Sequence, residues 1–309
     1  MNGISRSAVG AIAARPLPVP SGLGAAGDYL ALMKPRIIGL LLMTTWTTML
    51  IVSPHHTDLG ILLLTLLGGT LAAGSANALN MYFDRDIDAI MPRTCLRPVP
   101  AGRLSPTRAA WFGGVTGALS VGVLAGGVNW LSAALSTAAI LFYVGVYTLW
   151  LKRRTPQNIV IGGAAGAAPP LVAWAAATGR VSVPALVLFA IIFLWTPPHF
   201  WALALGKSDE YRAAGIPMLP VVRGDRETRR EIFAYSLALA AVTLLLYAPL
   251  HVLGSPYLLA ALLLGGVFVV LAWRVLTRRG PHAESVLFGY SILYLALLFV
   301  SMVVDRLVI

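Results

Sequence analysis

The chain has 309 residues, of which 58% are hydrophobic and only 11% charged, and its mean hydropathy is +0.80. A soluble domain carries roughly 25% charged residues, so this composition excludes a soluble globular protein and describes a polytopic membrane protein. The formal charge of +11 would raise nucleic acid as a partner of a soluble chain. In a membrane protein it reads instead as the Lys/Arg excess of inside loops, and no nucleic acid is expected.

The segment to Ala26 contains Arg6 and Arg15, three prolines and no acid. It lacks a continuous apolar core and is therefore not a secretory signal. It reads as a disordered cytoplasmic tail, residues 1–28, with a mitochondrial transit peptide as the alternative. Residues 29–309 form one transmembrane domain. Lys34-Pro35-Arg36 stands at the start of the first membrane helix, where a proline suits the first helical turn. A spanning helix needs about 20 mostly apolar residues. Nine segments qualify, at approximately 36–53, 60–82, 108–127, 129–150, 158–178, 182–205, 232–251, 256–275 and 284–303. The joints at Gly127-Val128-Asn129 and Gly179-Arg180-Val181 are short and make hairpins. The fold class is thus an all-α bundle of nine transmembrane helices.

With the N-terminus inside, 21 of the 23 Lys and Arg residues lie in inside segments, leaving only Arg180 and Arg306 outside. This asymmetry predicts an N-in, C-out topology. The acids are asymmetric too. The inside loops 83–107 and 206–231 hold Asp84, Asp86, Asp88, Asp209, Glu210, Asp225, Glu227 and Glu231. Function is therefore expected on the cytoplasmic face.

Asn80, Asp84 and Asp88 are spaced i, i+4, i+8, which on a helix forms one row. An amide and two carboxylates in a row suit a hard divalent cation, most often Mg²⁺, which in turn binds phosphates. Charges near the bilayer are rare and usually functional. Arg93 and Arg97 follow closely, and guanidinium groups grip phosphate oxygens. Together these residues describe a diphosphate site. Asp86 lies off that row and reads equally well as part of a solvated charge mix.

Lys152 belongs to a cluster that runs from Tyr147 to Arg154 and is followed by Gln157 and Asn158. Aromatic and basic residues there are ordinary interface anchors, although Lys152 could also reach a diphosphate, as could Lys34 and Arg36. Further on, Pro197 and Pro198 interrupt the helix ladder about halfway along the sixth span. Trp195, His199 and Trp201 then become candidates for contact with a substrate. Lys207, Asp209, Glu210, Tyr211 and Arg212 follow near the surface, where Lys207 could hold phosphate and Asp209 or Glu210 a second metal. The acids of this second loop do not repeat at i+4, so its signal is weaker. Cys95 has no partner pattern that would mark a nucleophile.

These residues resemble the UbiA superfamily of intramembrane prenyltransferases. The resemblance rests on Asn80-x3-Asp84-x3-Asp88, the polar loop after the sixth span, and the nine spans. It tightens at Leu32-Met33-Lys34-Pro35-Arg36, at Asn158-Ile159-Val160-Ile161-Gly162-Gly163, at Trp195-Thr196-Pro197-Pro198-His199-Phe200-Trp201 and at Ala214-Gly215-Ile216-Pro217-Met218-Leu219-Pro220. These strings are similar to the branch that farnesylates haem, and the likeness covers about residues 29–303. It implies haem B and farnesyl diphosphate as substrates and Mg²⁺ as cofactor on Asn80, Asp84 and Asp88. It implies haem O as the product, destined for terminal oxidases. A haem A synthase or oxidase assembly factors would be partners beside the lipid bilayer. The bacterial inner membrane is the expected location, with the mitochondrial inner membrane as alternative. Three rivals remain. A quinone- or chlorophyll-type prenyltransferase would share the first loop but lacks a reason for the Trp195–Trp201 string. A secondary transporter would fit broken helices, but no acid lies near the centre of any span. A CDP-alcohol phosphotransferase would need a glycine after its first acid, where Arg85 stands.

Overall fold

The computed structural model describes residues 24–280 and 282–308, and the proposed tail up to residue 23 lies outside them. Described residues form helices throughout, in the order α1 (Ala25–Met33), α2 (Pro35–Val52), α3 (Leu59–Phe83), α4 (Arg85–Ile90), α5 (Pro106–Gly127) and α6 (Trp130–Leu141). A π-helical segment (Phe142–Leu151) continues α6. It is followed by α7 (Asn158–Ala167), α8 (Pro169–Thr178), α9 (Val183–Leu205), α10 (Ser208–Ala213), α11 (Leu219–Leu244), α12 (Ser255–Leu276) and α13 (Ala283–Val308).

Eight helices are long and apolar enough to cross a membrane: α2, α3, α5, α6 with its π segment, α7 with α8, α9, α12 and α13. The protein is an integral, multi-pass membrane protein. The stretch expected at 232–251 differs. Its helix ends at Leu244, and residues 245–250 form turns. The charged residues Asp225, Arg226, Glu227, Arg229, Arg230 and Glu231 fill the first half of α11 and leave a short apolar remainder. The expected edge of the tail also shifts, because Asp28 is buried within α1 and accepts a 2.9 Å hydrogen bond from Arg103 Nε.

Small residues set the closest packing. Helix α3 lies along α5 with Gly113 against Leu79, where an added Cβ would come within 2.7 Å of the leucine side chain. Ser75 donates to the Gly113 carbonyl and Ser120 to that of Gly68. Without a hydrophobic force between helices in lipid, close backbone approach and such hydrogen bonds hold the pair. A second core runs along α9, α11, α12 and α13 and includes Trp195, Trp201, Tyr257, Phe268 and Tyr294. The helix α9 stays continuous through Pro197 and Pro198. The prolines remove ladder bonds without breaking the helix, and neighbouring helices cover the freed groups.

Ties at the two ends of the bundle define its polarity. At one end Asp305 accepts from the Gly254 and Tyr257 amides, and Arg306 donates to the Ile51 carbonyl. At the other, Arg229 bonds Glu284 and the Val275 carbonyl. That second end also carries the acid row.

Candidate active site

The row Asn80, Asp84, Asp88 survives folding with one change. Helix α3 stops at Phe83 and α4 starts at Arg85, with Asp84 at the junction. Backbone bonds from Asp84 N to Asn80 O (2.9 Å) and from Asp88 N to Asp84 O (2.8 Å) keep the i, i+4 relation across it. All three side chains are buried, with relative exposures of 3%, 0% and 2%.

Cationic groups from three other segments converge on them. Lys34, between α1 and α2, donates to Asn80 Oδ1 at 3.0 Å. Lys152, at the end of the π segment, donates to Asp84 Oδ2 at 2.5 Å. Arg97 donates to Asp88 Oδ2 at 2.7 Å. Asn80 Nδ2 donates to Asp84 Oδ2 at 2.6 Å and to Thr148 Oγ1 at 3.1 Å. A buried carboxylate is tolerated only when paired, and chain segments far apart in sequence supply the pairing. Burial, together with the charges of Arg97 and Lys152, pushes the Lys34 ammonium down to about 7.

The π segment explains why Lys152 and Thr148 both reach the site. Lys152 N bonds Tyr147 O, and Thr148 Oγ1 bonds Tyr143 O at 2.9 Å, both spanning five residues. Such bulges re-aim side chains and recur at functional sites. Tyr143 and Tyr147 stack at 5.2 Å. Tyr147 presses onto α7 where Gly162 stands, and a Cβ there would fall 2.3 Å from its ring. The Asn158-to-Gly163 string thus makes room for an aromatic side chain beside the acids. Asn158 itself is fully buried, donates to the Thr155 carbonyl and leaves its Oδ1 without a partner.

The donor set can be tested against a cation. Asp84 Oδ1 is buried and accepts no hydrogen bond among the described residues. Asn80 Oδ1, Asp84 Oδ2 and Asp88 Oδ2 already face positive groups, and the Arg153 guanidinium stands 3.9 Å from Asp84 Oδ1. An amide oxygen and two carboxylates are hard ligands, so the residues fit a divalent metal. Among the described residues no group of three or more His, Cys, Asp or Glu could hold one. Any metal here would therefore rest on two acids and an amide, with phosphate or water oxygens completing its shell.

The two loops meet. Ile87 and Met91 of the first pack with Tyr211, Ile216 and Met218 of the second. Arg93 reaches Tyr211 Oη at 3.4 Å. Their acids differ sharply, however. Asp209 is 92% exposed in its side chain and pairs with Arg212 within α10. Glu210 takes Lys207 on Oε1 at 2.7 Å and keeps a buried, unpartnered Oε2. Only Glu210 is placed for a second cation, and Asp209 is set aside. Asp86 forms a two-bond pair with Arg153, both bonds 2.7 Å, which holds its carboxyl down at about 2. Arg36 is exposed and joins none of these contacts.

The string from Trp195 to Trp201 faces elsewhere. His199 stacks between Trp195 (4.3 Å) and Phe288 of α13 (4.6 Å), and its Nδ1 lies 2.6 Å from Ser291 Oγ. Trp195 Nε1 donates to the Ser291 carbonyl. Trp201 packs edge-on against Tyr235 of α11. Sequence reasoning missed Thr148, Phe288 and Ser291. The only available signal for Thr148 was its place four residues before Lys152, and the α13 partners had none.

Comparison with known proteins matches residues 40–302 to the UbiA prenyltransferase family. The chain is 55% identical to a protoheme IX farnesyltransferase from Gloeobacter violaceus, over 93% of this chain and 94% of that protein. Among solved structures it resembles one described in work on digeranylgeranylglyceryl phosphate synthase in membranes, with a TM-score of 0.77 at 18% identity over 92% of this chain and 99% of the other. It also resembles a UbiA homolog from Archaeoglobus fulgidus bound to GPP and Mg²⁺, with a TM-score of 0.61 at 16% identity over 89% of this chain and 99% of that one. At these identities the two structures establish the shared fold alone.

Proposed function

The chain belongs to the UbiA prenyltransferase family, and from that premise we propose how its residues carry out the reaction. It is a prenyltransferase that moves the farnesyl group of farnesyl diphosphate to haem B and makes haem O. The observation that carries the site assignment is the buried row Asn80-Asp84-Asp88, met by cations from three other segments and left with one carboxylate oxygen, Asp84 Oδ1, that accepts no hydrogen bond.

Asn80, Asp84 and Asp88 would hold a divalent cation, Mg²⁺ in this reading, which when bound would supply Lewis-acid stabilisation to the departing diphosphate. Lys34, Lys152, Arg97 and Arg93, which donate here to Asn80, Asp84, Asp88 and Tyr211, are the cations that would hold the diphosphate oxygens. Placed before the bond breaks, these donors stabilise charge as it develops. The C–O bond of the farnesyl group breaks and the diphosphate leaves with the electron pair. The allylic carbon is attacked by a haem vinyl group. Water adds to the resulting cation and loses a proton, which gives the hydroxyethylfarnesyl chain. Tyr143 and Tyr147 line the approach to Asp84, and their ring faces suit an allylic cation. The packed loops, joined by Arg93 and Tyr211, keep bulk water from the diphosphate. Glu210 and Lys207 form a second polar group on the α10 side.

We infer a topology of nine spans, N-in and C-out. The ties at Arg229 and at Asp305 lie at opposite ends of α12 and α13. The chain from Arg229 to Gly254 therefore travels the full length of those helices, and α11 with its following turn serves as the ninth crossing. The membrane is the inner membrane of a bacterium, in keeping with the bacterial relatives.

The test is mass spectrometry of haem extracted after expression. A porphyrin heavier by one farnesyl group plus water is expected with the native chain and is lost with Asp84→Ala. Normal product from Asp84→Ala would overturn the site assignment.

A further inference from the structure

The diphosphate chemistry makes no use of His199, the only histidine buried in the bundle among the described residues. Ser291 Oγ lies 2.6 Å from the Phe288 carbonyl and 2.6 Å from His199 Nδ1. The hydroxyl has one proton; assigned to the carbonyl, which can only accept, it makes Ser291 Oγ the acceptor for His199 and places the imidazole proton on Nδ1. That leaves the lone pair on Nε2.

No hydrogen bond among the described residues reaches Nε2, and it is not one of the buried, partnerless atoms. Trp195 and Phe288 cover the two ring faces, at interplanar angles of 17° and 22°. Phe200 stands perpendicular at 5.2 Å. The residue keeps 9% exposure, and with both faces and Nδ1 covered, the ring edge left open is that of Nε2. A neutral imidazole whose Nδ1–H is bound to a fixed oxygen, with Nε2 presented outward, is the arrangement in which histidine ligates a metal. The stack prevents ring rotation, and Ser291 is itself held by its bond to Phe288.

We propose that His199 Nε2 is an axial ligand to the iron of the acceptor haem. The assignment rests on haem B being the acceptor. Iron lies at the centre of that substrate, away from its reactive vinyl edge. A ligand at the iron therefore fixes the macrocycle while leaving its vinyl groups free to meet the farnesyl carbon. The Trp195 and Phe288 rings flank the imidazole, so their edges would lie against the porphyrin face. Ser291 is the positioning residue, acting through His199.

Resonance Raman spectroscopy of the full chain in lipid nanodiscs, loaded with ferrous haem B, tests the proposal. A band from the stretch between iron and imidazole nitrogen is expected, and it should shift when the protein is made with heavy-nitrogen histidine. His199→Ala should lose the band and regain one when free imidazole is added. Ser291→Ala should keep it at lower frequency and bind haem about tenfold more weakly, as for other partners of ligating histidines. A native complex with no label-sensitive band, or His199→Ala with the band intact, overturns the proposal. The label experiment uses the native chain and decides the matter even where His199→Ala fails to fold. Farnesyl transfer is assayed in the same native sample. Transfer without a histidine band overturns ligation and leaves haem as acceptor. Absence of both haem binding and transfer overturns the acceptor reading, and ligation with it.

Discussion

The two charged loops at the acid-row end of the bundle carry similar residues and use them differently. In the first, Asp84 and Asp88 are buried and pair with Lys152 and Arg97, the former 68 positions away in sequence. In the second, Asp209 pairs with Arg212 three positions along the same short helix and stays in water. A local pair of exposed charges contributes about 0.3–0.5 kcal/mol and needs no tertiary structure. A buried pair joining distant segments costs several kcal/mol to desolvate, and a chain that retains it does so for chemistry. The contrast sorts acids near a membrane surface into those that serve a site and those that solubilise a loop. Glu210 stands between the two cases.

The largest effect tests the buried member. Asp84→Ala should lower kcat/KM for farnesyl diphosphate about a thousandfold, close to 4 kcal/mol of transition-state stabilisation. Its membrane abundance, followed by immunoblot, separates this from loss of fold. Lys152→Met removes one donor while keeping the stem and should cost about a hundredfold in kcat. A change smaller than threefold would show that Lys152 only balances Asp84. Glu210→Gln should cost about tenfold and raise the Mg²⁺ concentration giving half-maximal rate, an effect of roughly 1.4 kcal/mol. The matched Asp209→Asn should change the rate by less than about twofold. Equal losses in these two variants would erase the distinction drawn inside the second loop.

The smallest effect concerns Asp86. Arg153 holds its folded-state pKa at about 2, below the ordinary 3.8. A carboxyl with a depressed folded pKa lends stability that is fully present above its unfolded value and lost as pH falls through the folded one. The thermal midpoints of native protein and Asp86→Asn should therefore differ slightly at pH 6 and converge between about pH 4 and 2. A gap that persisted at pH 2 would show that the pair is not the source.

Much of this was legible in residues alone. Long apolar runs can satisfy their backbone in lipid only as helices, so composition and run length were sufficient for eight of the nine expected spans, for both hairpin joints and for the helix start at Pro35. Spacing of four likewise placed Asn80, Asp84 and Asp88 together, because that relation follows from the helical repeat and survives the break at Asp84. Charge density marked the two loops that meet at one end of the bundle for the same local reason. The expected span at 232–251 does not appear among the long apolar helices, since charge at 225–231 shortens the apolar part of α11. Partners across the bundle were not legible at all. That Lys152 rather than Lys207 meets the acids depends on a π-helical turn. That Asp209 faces water and Glu210 does not depends on how α10 lies on Ile87 and Met91. That His199 looks to Ser291 rather than to Asp84 depends on α13 arriving nearly a hundred residues later. Local sequence sets what a segment can be, through hydrogen bonding and transfer free energy. Which side chains meet is settled by packing among helices whose apolar surfaces are nearly interchangeable, and that information is spread over the whole chain.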